Sequence, residues 1–167
     1  HSGIKKKLNF KINNYSKFKD KIVYVVIENE PEGILELKND KNDSAIKRIN
    51  SLKRIEQSYN FMFKGIQDAN DEDIILLSDN DEIPNLKKLS SNFPKQKILI
   101  FEQLLFYYKF NLYYDYIPWY GTKGCKKKNL KSFSWLRNLK NKSYPFWRID
   151  TYFSELKSTN VEIIKNG

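Results

Sequence analysis

Asp79, Asn80, Asp81 and Glu82 follow one another where the apolar run Ile74-Ile75-Leu76-Leu77 ends, so a buried strand would hand three carboxylates to the turn at which it stops. Hard cations such as Mg²⁺ and Mn²⁺ take oxygen ligands and are commonly held by one or two carboxylates together with substrate phosphates. An Asp-x-Asp at a strand's carboxyl end, here Asp79 and Asp81, therefore points to a divalent metal and to phosphate-linked chemistry. The same residues have a plainer use. Asp79 with Asn80 suits an Asx turn, and Asp81 suits the cap of a short helix beginning near Pro84. Against that use, three like charges at one turn repel each other. A calcium loop of EF-hand type is disfavoured, because its Gly and distal Glu are missing at the required offsets.

An alternating α/β order would position this turn. Lys21 to Ile27 is rich in β-branched residues and reads as a buried strand, closed by Pro31 and Gly33. From Asp43 or Ser44, apolar residues between Ile46 and Ile66 recur at helical spacing, which predicts an amphipathic helix of about six turns with its stripe in the core. Asp73 to Ser78 then returns as a strand, and strand, helix, strand implies a right-handed parallel crossover. In open α/β sheets ligands gather beyond the carboxyl ends of the strands, where this order puts Asp79 to Asp81. Further expectations are a short helix near Leu86 to Leu89, a strand from Lys97 to Phe101 and an extended segment from Gln103 to Tyr114. A short helix from Ser132 to Leu139 and a last strand from Val161 to Ile164 follow. No internal repeat is visible. Neither a dinucleotide fingerprint nor a Walker loop occurs, which disfavours NAD-dependent and P-loop enzymes.

The run Leu77-Ser78-Asp79-Asn80-Asp81-Glu82-Ile83-Pro84 resembles the signature of glycosyltransferase family 17, whose eukaryotic members add a bisecting N-acetylglucosamine to N-glycans. His1-Ser2-Gly3 with Lys5-Lys6 and Asn9-Phe10 resembles the segment after that family's first strand, and Lys21 to Glu28 is similar to its second. Arg48, Asn50 and Arg54 fall where the family carries a basic, polar helix, while Trp119-Tyr120-Gly121 and Leu136-Arg137 are similar to later segments. Most of the chain is covered, with the Asp-Glu-Ile-Pro core as the specific part. The family's opening strand would lie before His1, and its Gly-Trp-His motif would follow Val161 to Gly167. The resemblance thus implies one glycosyltransferase domain over residues 1–167, incomplete at both ends.

It further implies a GT-A-like, Rossmann-type fold, a mostly parallel sheet flanked by helices with the Asp-x-Asp at a strand end. The implied partners are a UDP-sugar donor, N-acetylglucosamine by resemblance, and a glycan or glycoconjugate acceptor, with inversion. Mn²⁺ or Mg²⁺ would be the cofactor. Asp81 would be the firmest metal ligand, with Asp79 touching the metal through water or touching the ribose hydroxyls, and Asn80 beside them in the nucleotide-sugar site. Arg48 and Arg54 are candidate cations for the diphosphate or for tethering the motif's carboxylates, or else part of a solvated helix face. Glu82 either fixes the loop or acts as the base that an inverting enzyme places on its acceptor hydroxyl. Glu102 and Asp115 are base candidates by location alone. Trp119, Tyr120 and Trp147 could stack on sugar rings of the acceptor, with Trp119 to Thr122 expected in a loop after Pro118. Arg137 and Arg148 suit the surface equally well.

Composition fits a single domain with a sizeable core: 167 residues, 40% hydrophobic and 15% aromatic. Cys125 is the lone cysteine, so no internal disulfide forms and no oxidising compartment is required. An inert thiol is expected there, since the sole histidine is His1. The chain as given suits the cytoplasm, and a longer parent could serve a secretory lumen. No stretch of about 20 apolar residues is present, so no membrane segment is expected. The net charge of +10 raises nucleic acid as a partner, through Lys5-Lys6-Lys7 and Lys126-Lys127-Lys128. Lysine and asparagine are nevertheless spread along the whole chain and no known recognition module occurs. A metal-dependent nuclease or phosphoryl-transfer enzyme, and a basic, aromatic binding module without catalysis, are the alternatives to a transferase.

Overall fold

The computed structural model describes residues 9–89, 98–109, 111–139, 161–165 and 167. The chain divides into two compact units, His1–Asp68 and Ala69–Gly167.

The first unit is built around α1, Asp43–Phe61, which continues into a 3-10 turn over Met62–Ile66. The helix predicted from the apolar spacing is therefore present, but its last turns tighten. What it holds is unexpected. Only Asn50 is buried along α1, whereas Ile49 and Leu52 of the predicted stripe stay exposed. The packed face is instead a polar row that fastens the preceding segment. Asn50 accepts the Leu35 N–H at 2.9 Å and donates to the Leu35 carbonyl at 2.8 Å, so one side-chain amide satisfies both backbone groups of that residue. Lys53 donates to the Gly33 carbonyl at 2.5 Å, Gln57 to the Asn29 carbonyl at 3.1 Å, and Arg54 pairs with Glu30 at 2.7 Å. These residues lie three, four and seven positions apart, the spacing that puts side chains on one helix face. Asp43 closes the start by accepting the N–H groups of Lys38 and Asn39.

The strand expected over Lys21 to Ile27 does not form among the described residues. Lys21 ends a 3-10 helix over Ile12–Lys21, and the extended Ile22 and the residues after it to Ile27 join no ladder. β-branched residues favour an extended backbone, but a strand exists only through pairing. With that strand missing, the predicted parallel crossover is missing as well.

The second unit is a four-stranded mixed sheet of β1 (Ile74–Leu77), β2 (Ile98–Phe106), β3 (Tyr113–Lys126) and β4 (Val161–Ile164) in the order β1-β3-β2-β4. β3 runs antiparallel to both β1 and β2, and only β2 and β4 pair in parallel. A mostly parallel sheet is thus corrected to a mixed one among the described strands. The reason lies in the sequence between 98 and 126, which forms a hairpin and sends β3 back between β1 and β2. Local antiparallel pairing needs only a short turn, whereas a parallel pair needs a long crossover.

Alternation along β1 sets two faces. Ile74 and Leu76, together with Leu89, pack against Leu99, Phe101 and Ile164. Ile75 and Leu77 are buried on the opposite face, where α2, Phe133–Asn138, packs on β1 and β3 through buried Phe133 and Leu136. Ser132 caps this short helix by accepting the Trp135 N–H at 2.9 Å. Cys125 lies within this core at 2% exposure, and burial pushes its thiol up to about 11. Burial of this kind disfavours the reactive thiolate. Among the described residues no helix is long and apolar enough to cross a membrane.

Candidate functional site

The strand β1 stops at Leu77, and a tight turn takes over at once. The Glu82 N–H donates to the Asp79 carbonyl at 3.0 Å, closing a four-residue turn over the acidic motif. Glu82 then returns the bond, since its Oε2 accepts the Asp79 N–H at 3.0 Å. Two reciprocal bonds across the same four residues fix the backbone of the turn and the Glu82 side chain. Glu82 is 8% exposed, so this geometry is set from inside the protein. The loop-fixing use of Glu82 is accordingly realised.

The turn is pinned to β3 and α2 as well. Ser78 and Thr122 share a hydroxyl hydrogen bond at 2.7 Å, just beyond the last ladder pair of Leu77 with Lys123. Lys123 is buried, and its Nζ donates to the carbonyl oxygens of Arg137 and, at 2.6 Å, Leu139. An ammonium at the carboxyl end of a helix satisfies the carbonyls that lack intrahelical partners. The end of α2 is thereby fixed to β3, and it presents Arg137 to the acidic turn. Arg137 Nη2 pairs with Asp79 Oδ2 at 2.5 Å, and its Nη1 lies 3.8 Å from Glu82 Oε1.

Glu82 Oε1 is buried and makes no hydrogen bond. The arginine nitrogen at 3.8 Å is within ion-pair reach but beyond hydrogen-bond distance. Charge is compensated there, while acceptor capacity is not. An unsatisfied buried acceptor costs roughly 1–3 kcal/mol.

These side chains border a cavity of about 620 Å³, which Gln103 and Trp119 also line together with the apolar side chains of Ile83, Leu104, Leu105 and Phe106. That volume lies in the usual range for small-molecule sites. Gly121 lets its walls approach. A Cβ at this position would collide with Gln103 Oε1 and would lie 3.0 Å from Trp119 Nε1 and 3.1 Å from Glu82 Cδ. Gln103 Oε1 also accepts the Thr122 N–H at 2.9 Å, which fixes the amide against the glycine.

Trp119 owes its place to a ladder irregularity. Gln103 pairs with Trp119 and Leu105 with Tyr114, so Leu104 alone faces residues 115–118. Pro118 has no N–H to give to a ladder, which accounts for the excursion at this point. The predicted loop position of Trp119 to Thr122 is corrected: all four residues belong to β3, directly after the bulge. Trp119 is 40% exposed and lines the cavity, whereas Tyr120 is half-buried opposite Glu102 and does not.

Other sequence candidates fall elsewhere. Glu102 and Asp115 line a smaller cavity of about 160 Å³ that shares Gln103, Leu104 and Leu105 with the first. Arg48 is exposed on α1 and Arg54 is engaged by Glu30, both in the first unit. Among the described residues, the cation that meets the acidic turn is Arg137. Trp147 and Arg148 lie outside the described residues, as do His1 to Lys7. Asn80 sits exposed at the turn. Lys126 and Lys128 both pair with Glu72, and Lys127 donates to the Ala69 carbonyl at 2.5 Å, so this lysine run is tied to the protein's own surface.

No protein-family profile, curated protein or solved structure significantly matches the chain. The site must therefore be read from its chemistry. Among the described residues no group of three or more His, Cys, Asp or Glu side chains is arranged to hold a metal by itself. A hard cation shared with phosphate oxygens asks for less, namely one or two carboxylates. Asp81, exposed at the cavity edge, fits that share, and Asp79 fits it as a second group already offset by Arg137.

Proposed function

We propose that the cavity is the donor site of a metal-dependent glycosyltransferase with a GT-A-like domain, moving a sugar, N-acetylglucosamine by resemblance to family 17, from a UDP-sugar to a glycan hydroxyl with inversion. One observation carries this reading: two motif carboxylates, a fixed arginine and an exposed tryptophan border the same cavity of about 620 Å³. In glycosyl transfer the departing nucleoside diphosphate gains negative charge, and fixed positive charge beside it lowers the barrier.

Asp81, with Asp79 beside it, would hold Mn²⁺ or Mg²⁺, which when bound supplies Lewis-acid stabilisation to the diphosphate. Arg137 reaches the same turn from α2, where its charge is shared between Asp79 and Glu82. Its planar guanidinium suits phosphate oxygens. Glu82 keeps the turn in shape by its bond to the Asp79 N–H. Trp119 offers a flat apolar face to the sugar end of the ligand.

Calorimetric titration of UDP and UDP-N-acetylglucosamine, with Mn²⁺ and with chelator, tests the reading. Metal-dependent binding that disappears in Asp81→Ala is expected. Binding that ignores both chelator and the substitution would sink it.

A further inference from the structure

Past the four-stranded part of the sheet, β2 and β3 continue alone. β1 pairs with β3 over residues 123–126 and β4 pairs with β2 over residues 98–101, so among the described residues 103–106 and 113–119 have only each other as ladder partners. We propose that this two-stranded ribbon is a membrane-docking element, which rests its aromatic side chains in the headgroup region of an anionic lipid bilayer.

Apolar surface lies on both faces of the ribbon. Residues directly opposed in an antiparallel pair share a face. Phe106 therefore sits with Tyr113, ring centroids 5.8 Å apart. On the other face Tyr114, opposite Leu105, joins a row with Tyr107 at 5.5 Å and Tyr116 at 5.3 Å. Leu104, Tyr107, Tyr113 and Ile117 are each more than half exposed. A folded partner covers one face of such a ribbon, whereas a lipid layer surrounds both.

The side-chain chemistry selects the same occupant. Tyrosine carries an apolar ring with a polar tip, which is the type of side chain that settles at membrane–water interfaces. From 103 to 119 the only charged residues are Lys109 and Asp115. Single-stranded nucleic acid asks for cations along its backbone beside the stacking rings, and this ribbon adds aliphatic Leu104 and Ile117 instead. The net charge of +10 on the chain supplies attraction to anionic headgroups. The open edges of the ribbon limit its depth, because backbone groups facing hydrocarbon would lack partners.

The tip displays a further ring. The Lys109 N–H donates to the Tyr107 carbonyl at 2.6 Å, closing a three-residue turn around Tyr108. This turn holds Tyr108 at φ 59°, an unfavourable conformation for a bulky side chain, and leaves it 96% exposed. So exposed a ring gains little inside the chain, and its display at a strained position fits an external surface. Leu104, Phe106 and Trp119 of the ribbon also line the large cavity, so docking sets the mouth of that cavity against the lipid.

Flotation of the full chain with phosphatidylcholine vesicles, with and without phosphatidylserine, tests this, repeated on the double variant Tyr108→Asn, Tyr116→Ser. Tyr116 is 84% exposed, and asparagine accepts the positive φ at 108 more readily than tyrosine, so the variant should fold at least as well. Flotation with phosphatidylserine vesicles is expected, weakening as salt rises and falling on the order of tenfold or more in affinity in the variant. No flotation of the unaltered chain, or equal flotation of the variant, overturns the docking element. Sedimentation velocity without lipid and titration with an oligouridylate are run in parallel. Self-association or RNA binding that the variant abolishes, with no vesicle binding, assigns the ribbon to a second copy or to nucleic acid and likewise overturns it. Neither UDP nor metal enters the experiment, so vesicle binding by a chain that fails to bind UDP keeps the docking element and removes only the transferase reading.

Discussion

Arg137 and Asp79, 58 residues apart in sequence, meet at 2.5 Å, and the same guanidinium lies 3.8 Å from the buried carboxylate of Glu82. One arginine thereby serves two acids of the turn. Removing it leaves Glu82 buried without its countercharge, which is the expensive half of such an arrangement. Arg137→Ala should lower stability by roughly 1–3 kcal/mol. Arg137→Lys should recover only part, because an ammonium cannot reproduce the fork. Urea unfolding measures both, and an unchanged midpoint for Arg137→Ala would show that the turn does not depend on the pair.

Gly121 and Gly65 make opposite predictions from the same substitution. A Cβ at 121 meets Gln103, Trp119 and Glu82 together, so Gly121→Ala should cost roughly 1–3 kcal/mol through forced displacement. Gln103 can swing aside only by giving up the Thr122 N–H. At Gly65 nothing lies within 4 Å, and Ala there should be neutral or stabilise by up to about 1 kcal/mol. Thermal unfolding of the two variants decides it: similar shifts at both positions would mean that the approach at Gly121 is not tight.

Much of this was legible in the sequence. Four apolar residues followed by Asp79 to Glu82 announced a strand and an acidic turn, and Ser132 announced the start of α2. Sheet direction was hidden, because it depends on β3 returning between β1 and β2, and no short pattern reports which strands become neighbours. Small residues carry the trace of that close packing. A Cβ at Gly124 would come within 2.5 Å of Leu76 Cδ2 and 3.1 Å of the Ile75 carbonyl oxygen. Arg137 was hidden for a related reason, since its partner is distant in sequence and an arginine on a short helix ordinarily reads as surface. Pro118, followed by the Trp119-Tyr120-Gly121 run, was the available signal for the bulge. The apolar stripe of α1 shows the reverse error: the spacing is helical, yet the helix uses its polar row of Asn50, Lys53, Arg54 and Gln57 to hold the chain.

Glu72 should make stability pH-dependent in acid. Hydrogen bonds from Lys126 and then Lys128 hold its carboxyl at about 2 instead of the ordinary 4.5. A depressed folded pKa gives stabilisation that is present above 4.5 and lost as pH falls through about 2. The carboxylate is 62% exposed, so the effect is small and screened by salt. Carboxyl NMR should find Glu72 titrating well below the other exposed acids at low salt and nearer to them at high salt. Glu72→Gln should flatten the acid limb of the stability curve, and an ordinary titration of Glu72 would refute the pairing.

Lys123 predicts a coupling as well as a loss. Its buried ammonium donates to the carbonyls of Arg137 and Leu139, so it anchors the end of the helix that carries the arginine. Lys123→Met keeps most of the stem volume and removes the donors, and it should cost roughly 1–3 kcal/mol. A purely local role would stop there. If Lys123 also positions Arg137, its removal should weaken the pair with Asp79, and the two changes should not add. A double-mutant cycle of Lys123→Met with Asp79→Asn should then show coupling of about 0.5 kcal/mol or more. The cycle with Glu72→Gln should be additive, because Glu72 pairs with Lys126 and Lys128 instead. Additivity in both cycles would leave Lys123 as a helix anchor without influence on the acidic turn.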